Sequence, residues 1–241
     1  KIHTRNKPLA ADVDLEQIAQ ETYNFSGAHL ESVTNEAAVF ALRDDLQEIN
    51  IKHFREAVEK VMLGEKLDRK PTEEEMARVS VHEGGHALLA EHLQPNSVAQ
   101  ISIRSRGNAL GYVRHYPKDD LYLYTQAMLE EQIMIALAGA IAEETILGER
   151  STGAAGDYEQ ALRMVDKMIA SGMSRLGVVD LAKISPEQRQ EVTAEILSAL
   201  EERTRHIIVA KRETLEKLVR LLKIEEVVPG EQLRLLIEEA A

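Results

Sequence analysis

The sequence predicts a mainly α-helical protein with a small β-hairpin or sheet, organised as a helical bundle followed by a larger helical domain. Apolar residues recur at three- and four-residue spacing over most of the chain, and Ser, Thr or Asp residues stand at the expected helix starts. Apolar and polar residues alternate in 98–104 and 110–116, on either side of turn residues 106–108. The 241 residues, 44% of them hydrophobic, are enough to form two separate cores.

We expect residues 1–64 to form a small helical bundle, because short helical periods in this stretch follow capping residues. Residues 65–72 are polar and contain a proline, a composition typical of a linker. The second domain is then expected to cover residues 73–241. The capping residues of the bundle lie within Asp12–Asp14 and at Ser26, and a third helical segment is predicted around Ile51–Leu63.

The second domain is predicted to be built from long helices. Thr72 and Glu75 form a capping box, and Gln94-Pro95 ends the helix that follows. Ser185 with Pro186 is also typical of a helix start, and the amphipathic pattern behind it continues towards Leu222. The predicted helices are 73–93, 125–147, 157–171, 185–222 and a short one at the end of the chain.

Composition excludes several classes of protein. The 29 basic and 41 acidic residues leave a formal charge of −12, which argues against a nucleic-acid partner and against a basic membrane-binding patch. The chain has no cysteine, so a metal would have to be bound by His, Asp or Glu. No apolar run approaches the length of a membrane span, and the chain does not begin with Met. We therefore expect a soluble fragment or processed chain without membrane contact of its own.

The stretch VHEGGHA, residues 81–87, is the strongest functional signal. Residues four apart lie on the same face of a helix, so His82 and His86 can place two ring nitrogens around one cation. Glu83 lies about 100° further around the helix and can reach a water molecule there. The two glycines each cost about 1 kcal/mol in a helix, which indicates that another backbone packs closely against them. The alternative is a helix with two histidines that bind nothing.

A catalytic zinc site has three protein ligands, so the motif needs one more. His92 lies off the face that carries the other two histidines. Glu143 or Glu144 could be a ligand or could hold a ligand histidine, although an exposed helical glutamate is more common. Asp157 follows a loop of small residues, and it could equally be the N-cap of the next helix. Spacing alone leaves Asp157 barely ahead. The full set of candidates is His92, His115, Asp119, Asp120, Glu143, Glu144 and Asp157.

Several motifs together resemble the FtsH family of ATP-dependent zinc metalloproteases. HEGGH at 82–86, the strand-turn-strand at 101–112, Ala142-Glu-Glu144 and STGAAGD at 151–157 occur in the order and spacing of that family. The first 60 residues are similar to the helical lid of its AAA+ ATPase module. The matching motifs there are His3–Leu9, Asp12–Glu16, Asn24–Leu30 and Asn35–Ala38. The resemblance implies a lid bundle followed by a zincin-like protease domain.

The resemblance also implies roles for individual residues. His82, His86 and Asp157 would bind Zn²⁺, and Glu83 would be the general base. Glu143 and Glu144 remain candidates either to hold a ligand histidine by a hydrogen bond or to be an alternative ligand. Gly27 and Ala28 would contact the nucleotide only together with the nucleotide-binding core of the parent protein. Gly64 would be the hinge between the ATPase module and the protease domain.

By the same resemblance, the chain is expected to be an endopeptidase that degrades unfolded or membrane-associated polypeptides as part of a homo-hexamer. The sequence contains no P-loop, so we expect ATP and Mg²⁺ to be bound only by the full-length parent and this chain alone not to hydrolyse ATP. The parent is expected to carry a membrane anchor, with this part facing the cytoplasm or an organelle matrix or stroma. The alternative is a non-catalytic, ring-forming assembly module with a structural or lost metal, against which the intact Glu83 argues.

Four positions depart from the usual family pattern. Gly84 replaces an alanine within the zinc motif, and Gly156 replaces a common asparagine before the expected ligand Asp157. Ala140 stands where an arginine is usual, and His29 where an aspartate is usual. These changes bear on substrate range, subunit contacts and nucleotide response more than on the zinc chemistry.

Overall fold

A computed structural model of the chain describes residues 1–23, 25–64, 72–105, 110–116 and 123–239. Contacts divide these residues into two units. The smaller unit consists of the described residues up to Gly64 together with Ser105 and Leu110, and the larger unit contains the rest. Most of the predicted linker at 65–72, the predicted turn at 106–108 and the candidate ligands Asp119 and Asp120 lie outside the described residues.

The smaller unit contains three helices, α1 (Leu15–Glu21), α2 (Gly27–Arg43) and α3 (Ile51–Leu63). A polar side chain caps each of them at the N-terminus by accepting backbone N–H groups. The two longer helices pack against each other and bury an apolar core. The caps are Asp14, Ser26 and Asn50, and the core includes Val33, Ala37, Phe54, Ala57 and Val58.

The larger unit is mainly helical and is built around two long helices that pack side by side. Their contacting faces are rich in Ala, Gly and Leu, and both helices are largely buried. None of the described helices is both long enough and apolar enough to cross a membrane. The helices are α4 (Glu73–Leu93), α5 (Gln126–Leu147), α6 (Ala155–Ala170), α7 (Pro186–Ala210), α8 (Arg212–Glu225) and α9 (Gly230–Glu238).

A small antiparallel sheet completes the larger unit, and its strands are β1 (Val98–Ser102), β2 (Tyr112–His115) and β3 (Val227–Pro229). The strand order is β2-β1-β3, with Ile101 opposite Val113 on one side and Val228 on the other. The predicted pairing of the first two strands and the predicted fold class are confirmed. β3 was not predicted, because three residues are too few to show an alternating pattern.

The prediction of one helix from Ser185 to Leu222 is wrong. The chain leaves the helical conformation at Lys211, whose N–H bonds to Ile207 and Val209, and a second helix starts at once. The break allows α7 to pack on α5 while α8 packs on α4. Leu215, Leu218 and Leu222 are fully buried as a result. The amphipathic pattern of this segment is continuous, but its two halves pack against different helices, and the helix is therefore interrupted.

Candidate metal centre

The two glycines of the VHEGGHA motif have different neighbours. A Cβ atom on Gly85 would lie 2.7 Å from the carbonyl oxygen of Ala138 and 2.5 Å from Cβ of Ala142, both on α5. On Gly84 it would instead meet a side-chain carbon of Leu215 in α8, at 3.1 Å. The expected close approach of another backbone therefore occurs at Gly85, whereas Gly84 faces side chains.

This packing brings the two histidines of α4 towards α5 and α6. The Nε2 atoms of His82 and His86 are 3.0 Å apart. Oδ2 of Asp157 lies 3.1 Å from Nε2 of His82 and 3.5 Å from Nε2 of His86. All three side chains are mostly buried, and they form the one group of His and acidic side chains in the described residues that is compact enough to hold a metal ion.

The backs of the two rings are held by α5. Nδ1 of His86 lies 2.7 Å from the carbonyl oxygen of Ile135, and Nδ1 of His82 lies 2.8 Å from Oε1 of Glu143. Both partners are acceptors, so each Nδ1 donates its hydrogen and each Nε2 is directed towards Asp157. Burial by itself would lower the pKa of His82, but hydrogen bonds to Asp157 and Glu143 outweigh it and raise that pKa well above 6.5.

Glu143 is a buried carboxylate with three donors around it. Its Oε1 accepts from His82 and from the hydroxyl of Ser151 at 3.1 Å, and its Oε2 accepts from Nη1 of Arg78 at 2.9 Å. Burial would raise the pKa of Glu143, but these hydrogen bonds lower it overall. Glu144 faces elsewhere and pairs with Arg150 and Arg205. The structure thus brings Glu143 to the back of His82 and leaves Glu144 away from the cluster.

Asp157 is the third residue of α6 and is not its N-cap. The helix begins at Ala155, and Ala154 occupies the cap position without a side-chain hydrogen bond. A short 3₁₀ turn, Thr152–Ala154, precedes it and is capped by Ser151. The two histidines lower the pKa of Asp157 by hydrogen bonding, which outweighs the opposite effect of burial. The alternative interpretation of Asp157 as a helix cap is therefore wrong.

Glu83 lies beside the histidines and is nearly buried. Gly111, which precedes β2, packs directly against it, since a Cβ atom there would lie 2.7 Å from Cγ and 2.9 Å from Oε1 of Glu83. Burial raises the pKa of Glu83, and the charges of His86 and His82 offset this only in part. An ionised carboxylate with a raised pKa is a stronger base and therefore a better proton acceptor.

The remaining predicted site residues lie apart from this cluster. His92 and His115 are exposed. In the smaller unit, Gly27 and Ala28 are exposed in the first turn of α2, and Gly64 follows α3 with a φ angle of 92°, a conformation that favours glycine.

The positions that depart from the family pattern have simple local surroundings. His29 takes part in the N-terminal cap of α2, where its Nδ1 accepts from the backbone N–H of Ser26. Ala140 is buried in the core of the larger unit. A Cβ atom on Gly156 would have nothing within 4 Å.

The residues that were not identified from the sequence are those that support the two histidines. Arg78, Ser151, Ile135 and Gly139 all contact the cluster or its partners. Arg78 could have been found, because it lies four residues before His82 and so shares its helix face. The contacts of the other three depend on how α4 and α5 pack.

The geometry of the three donor atoms matches a tetrahedral metal site. Ligands about 2.0–2.1 Å from a tetrahedral zinc ion stand about 3.3 Å from one another. The observed separations of 3.0, 3.1 and 3.5 Å lie around this value. Two imidazole nitrogens and one carboxylate oxygen are also ligands that zinc prefers. The residues present therefore fit a zinc ion.

Known proteins with related sequences agree with this geometry. The sequence profile of Peptidase family M41 matches residues 69–236, and that of the AAA+ lid domain matches residues 12–56. The ATP-dependent zinc metalloprotease FtsH of Methylococcus capsulatus is 39% identical over the whole chain. FtsH 1 of Thermomicrobium roseum and FtsH 2 of Thermoanaerobacter sp. are each 36% identical over 99% of it.

The chain spans 42%, 40% and 48% of the length of these three relatives. The resemblance drawn from the motifs is confirmed, because it now extends over the full chain. With a family profile that matches more than half of its residues, the chain belongs to Peptidase family M41.

Proposed function

We propose that this chain is the proteolytic part of an ATP-dependent zinc metalloprotease and that it hydrolyses peptide bonds within unfolded or membrane-associated polypeptides. The observation that carries the proposal is the convergence of His82, His86 and Asp157 beside a buried Glu83. Family membership and relatives named as zinc metalloproteases support it.

In this proposal, His82, His86 and Asp157 bind the zinc ion. Bound zinc supplies Lewis acidity towards water and towards the scissile carbonyl group. Glu143 receives the Nδ1–H of His82 and thereby keeps Nε2 directed at the site. The carbonyl oxygen of Ile135 has the same function for His86.

Glu83 is proposed as the general base. Its carboxylate accepts a proton from the attacking water and then donates that proton to the amine of the leaving peptide. The raised pKa that burial confers on Glu83 makes its carboxylate a stronger base, which suits the first of these steps. No covalent intermediate with the protein is needed.

The substrate is proposed to bind as an extended chain along β2. Among the residues that the structure describes, this strand is at the edge of the three-stranded sheet, and Gly111, which precedes it, contacts Glu83. Main-chain hydrogen bonds to an edge strand bind polypeptides with little regard to sequence. Such binding suits an enzyme whose substrates are unfolded proteins.

We further propose that residues 1–64 are the helical lid of an AAA+ module, that 65–72 are a linker and that 73–241 are the protease domain. The profile match to the AAA+ lid domain supports the first assignment. Gly64 would be the hinge, and its positive φ angle supports a role for glycine there. Gly27 and Ala28 would contact nucleotide only within the parent protein, whose core would bind ATP and Mg²⁺.

The parent protein is proposed to be a homo-hexamer, anchored in a membrane, with this part facing the cytoplasm or the matrix or stroma of an organelle. We propose no nucleic-acid partner, because a chain with a net charge of −12 would repel the negatively charged phosphates.

Zinc content and cleavage of casein by the purified chain would test the proposal. We expect one zinc ion per chain and cleavage of casein without ATP, both removed by a chelator and restored by zinc. If the chain binds zinc but cleaves casein no faster than a Glu83→Gln variant, the result would favour the assembly module with a structural metal. Failure to bind zinc would contradict the metal site itself.

A further inference from the structure

Arg78 connects three parts of the larger unit at the back of the metal centre. It lies one helical turn before His82 on α4. Its Nη1 donates to Oε2 of Glu143 at 2.9 Å and to the carbonyl oxygen of Glu149 at 3.2 Å, and its Nη2 donates to Oε1 of Glu149 at 3.0 Å. One guanidinium group thus joins α4 to the end of α5 and to the segment that leads to α6.

The contact with Glu143 determines how that carboxylate faces His82. His82 and Ser151 both donate to Oε1, whereas Arg78 donates to Oε2. A carboxylate is planar, so donors on its two oxygens fix its rotation as well as its position. The side chain of Glu143 is 1% exposed, and the charge of Arg78 compensates its negative charge inside the protein.

The ion pair of Arg78 with the side chain of Glu149 contributes less than its contact with Glu143. The side chain of Glu149 is 74% exposed, and ion pairs with such groups add little because water and salt screen them. A hydrogen bond to a buried, charged group is stronger and more geometrically restrictive. The main effect of Arg78 therefore passes through Glu143.

We propose that Arg78 is a positioning residue for the metal centre, which holds the Glu143 carboxylate in the orientation that receives Nδ1–H of His82. His82 then presents Nε2 to the same point as His86 and Asp157. The inference rests on the proposed zinc site, and it assigns to Arg78 a function that reaches the metal only through Glu143.

Zinc affinity, measured by competition with a chromophoric chelator, is the direct test. We expect Arg78→Met to weaken zinc binding by about 10-fold, the lower end of the range found when direct partners of ligand histidines are lost, because Arg78 acts only through Glu143. Arg78→Lys keeps the positive charge but not the fork of donors, so it should bind zinc at least about threefold more tightly than Arg78→Met. The matched control is Arg205→Met, which removes an arginine from the neighbouring Glu144 and should change affinity less than about twofold.

A double-mutant cycle separates positioning from general stability. Once Glu143→Gln is present, adding Arg78→Met should weaken zinc binding by less than about threefold, because residues that act through one contact are not additive. The visible spectrum of the Co²⁺-substituted protein should change in Arg78→Met and not in Arg205→Met, since it reports ligand geometry.

Three results would overturn the inference while leaving the zinc site intact. One is an Arg78→Met variant that binds zinc as tightly as Arg205→Met. Another is a full additive loss in the double variant, and the third is loss of the helical circular dichroism signal in metal-free Arg78→Met, which would assign Arg78 to folding. A wild-type chain that binds no zinc would overturn the proposed function and this inference together.

Discussion

Gly139 of α5 lies directly against the ring of His86: a Cβ atom at this position would be 2.5 Å from Nε2 of His86 and 2.7 Å from Nε2 of His82. These are the atoms proposed to bind zinc. The absence of a side chain at position 139 is therefore what allows α5 to support both rings and leaves room at the metal site.

A Gly139→Ala substitution should damage both folding and metal binding. The added methyl group overlaps both rings, so we expect a loss of about 1–3 kcal/mol in the unfolding free energy of the metal-free protein. Zinc affinity should fall at least about tenfold, since displaced ligands bind metal weakly. Gly156→Ala is the matched control, because a Cβ atom there has nothing within 4 Å and alanine favours a helix. Wild-type zinc affinity in Gly139→Ala would contradict this packing.

The two glycines of the motif should differ in how much alanine destabilises the protein. Gly85→Ala places a methyl group 2.7 Å from a backbone oxygen of α5, and we expect it to destabilise the protein by about 1–3 kcal/mol. Gly84→Ala meets side-chain carbons of α8 and no backbone atom, the nearest at 3.1 Å on the buried Leu215, so the gain in helix propensity should offset much of the crowding and the change in stability should stay within about 1 kcal/mol. Chemical denaturation of both metal-free variants measures the difference, and equal effects would refute the distinction.

Glu83→Gln should separate chemistry from metal binding. The amide has nearly the same shape as the carboxylate but cannot accept the proton of the attacking water, so casein cleavage should fall at least about 100-fold. Zinc content should stay at the wild-type level, because Glu83 is not among the three clustered ligands. Near-normal cleavage by this variant would remove Glu83 from the proposed mechanism.

Asp157→Asn should weaken zinc binding steeply, because a neutral amide oxygen replaces an anionic ligand. Asp157 does not cap α6, so no capping interaction is lost, and the helical content of the metal-free protein should be unchanged. Glu143→Gln should weaken zinc binding less, and Glu144→Gln should have little effect. A ranking in which Glu144→Gln costs more zinc affinity than Asp157→Asn would contradict the proposed ligand set.

Zinc binding should become tighter as the pH rises. The pKa of His82 is raised above 6.5 in the metal-free fold, so this ring is still protonated at neutral pH and zinc must displace a proton. The apparent affinity should increase with pH until the raised pKa of His82 is passed. Calorimetry at pH 7 in two buffers with different ionisation enthalpies should show about one proton released per zinc ion. Binding without proton release would contradict the raised pKa.

The same shift affects the stability of the metal-free protein. Because the pKa of His82 is higher in the folded state, its contribution to stability is complete below 6.5 and is lost as the pH rises through the raised value. The pKa of Glu143 is lowered, so its contribution is present above 4.5 and is lost as the pH falls. Urea denaturation across this range should therefore show a broad maximum between about pH 4.5 and 6.5 and a decline above it, and a monotonic rise to pH 11 would exclude the effect of His82.

Features that depend on near neighbours in the chain could be predicted from the sequence. Thr72 and Glu75 cap α4 because the interaction spans only one turn, and His82 and His86 share a face because they are four residues apart. The fold class and the pairing of β1 with β2 were also predictable, since helical periodicity and the alternation of apolar and polar residues are visible within short segments of the chain. Family motifs extended this local information to the identity of the family.

Contacts between groups that are distant in sequence became visible only in the folded protein. His82 and Asp157 are 75 residues apart in sequence, and their contact depends on how α4, α5 and α6 pack. The same packing turns Glu143 inward and Glu144 outward, places Arg78 on Glu143, and divides the predicted helix at Lys211. Helix propensity and capping act within a few residues, whereas these contacts follow from burying the apolar faces of several helices at once, and no local pattern encodes that arrangement.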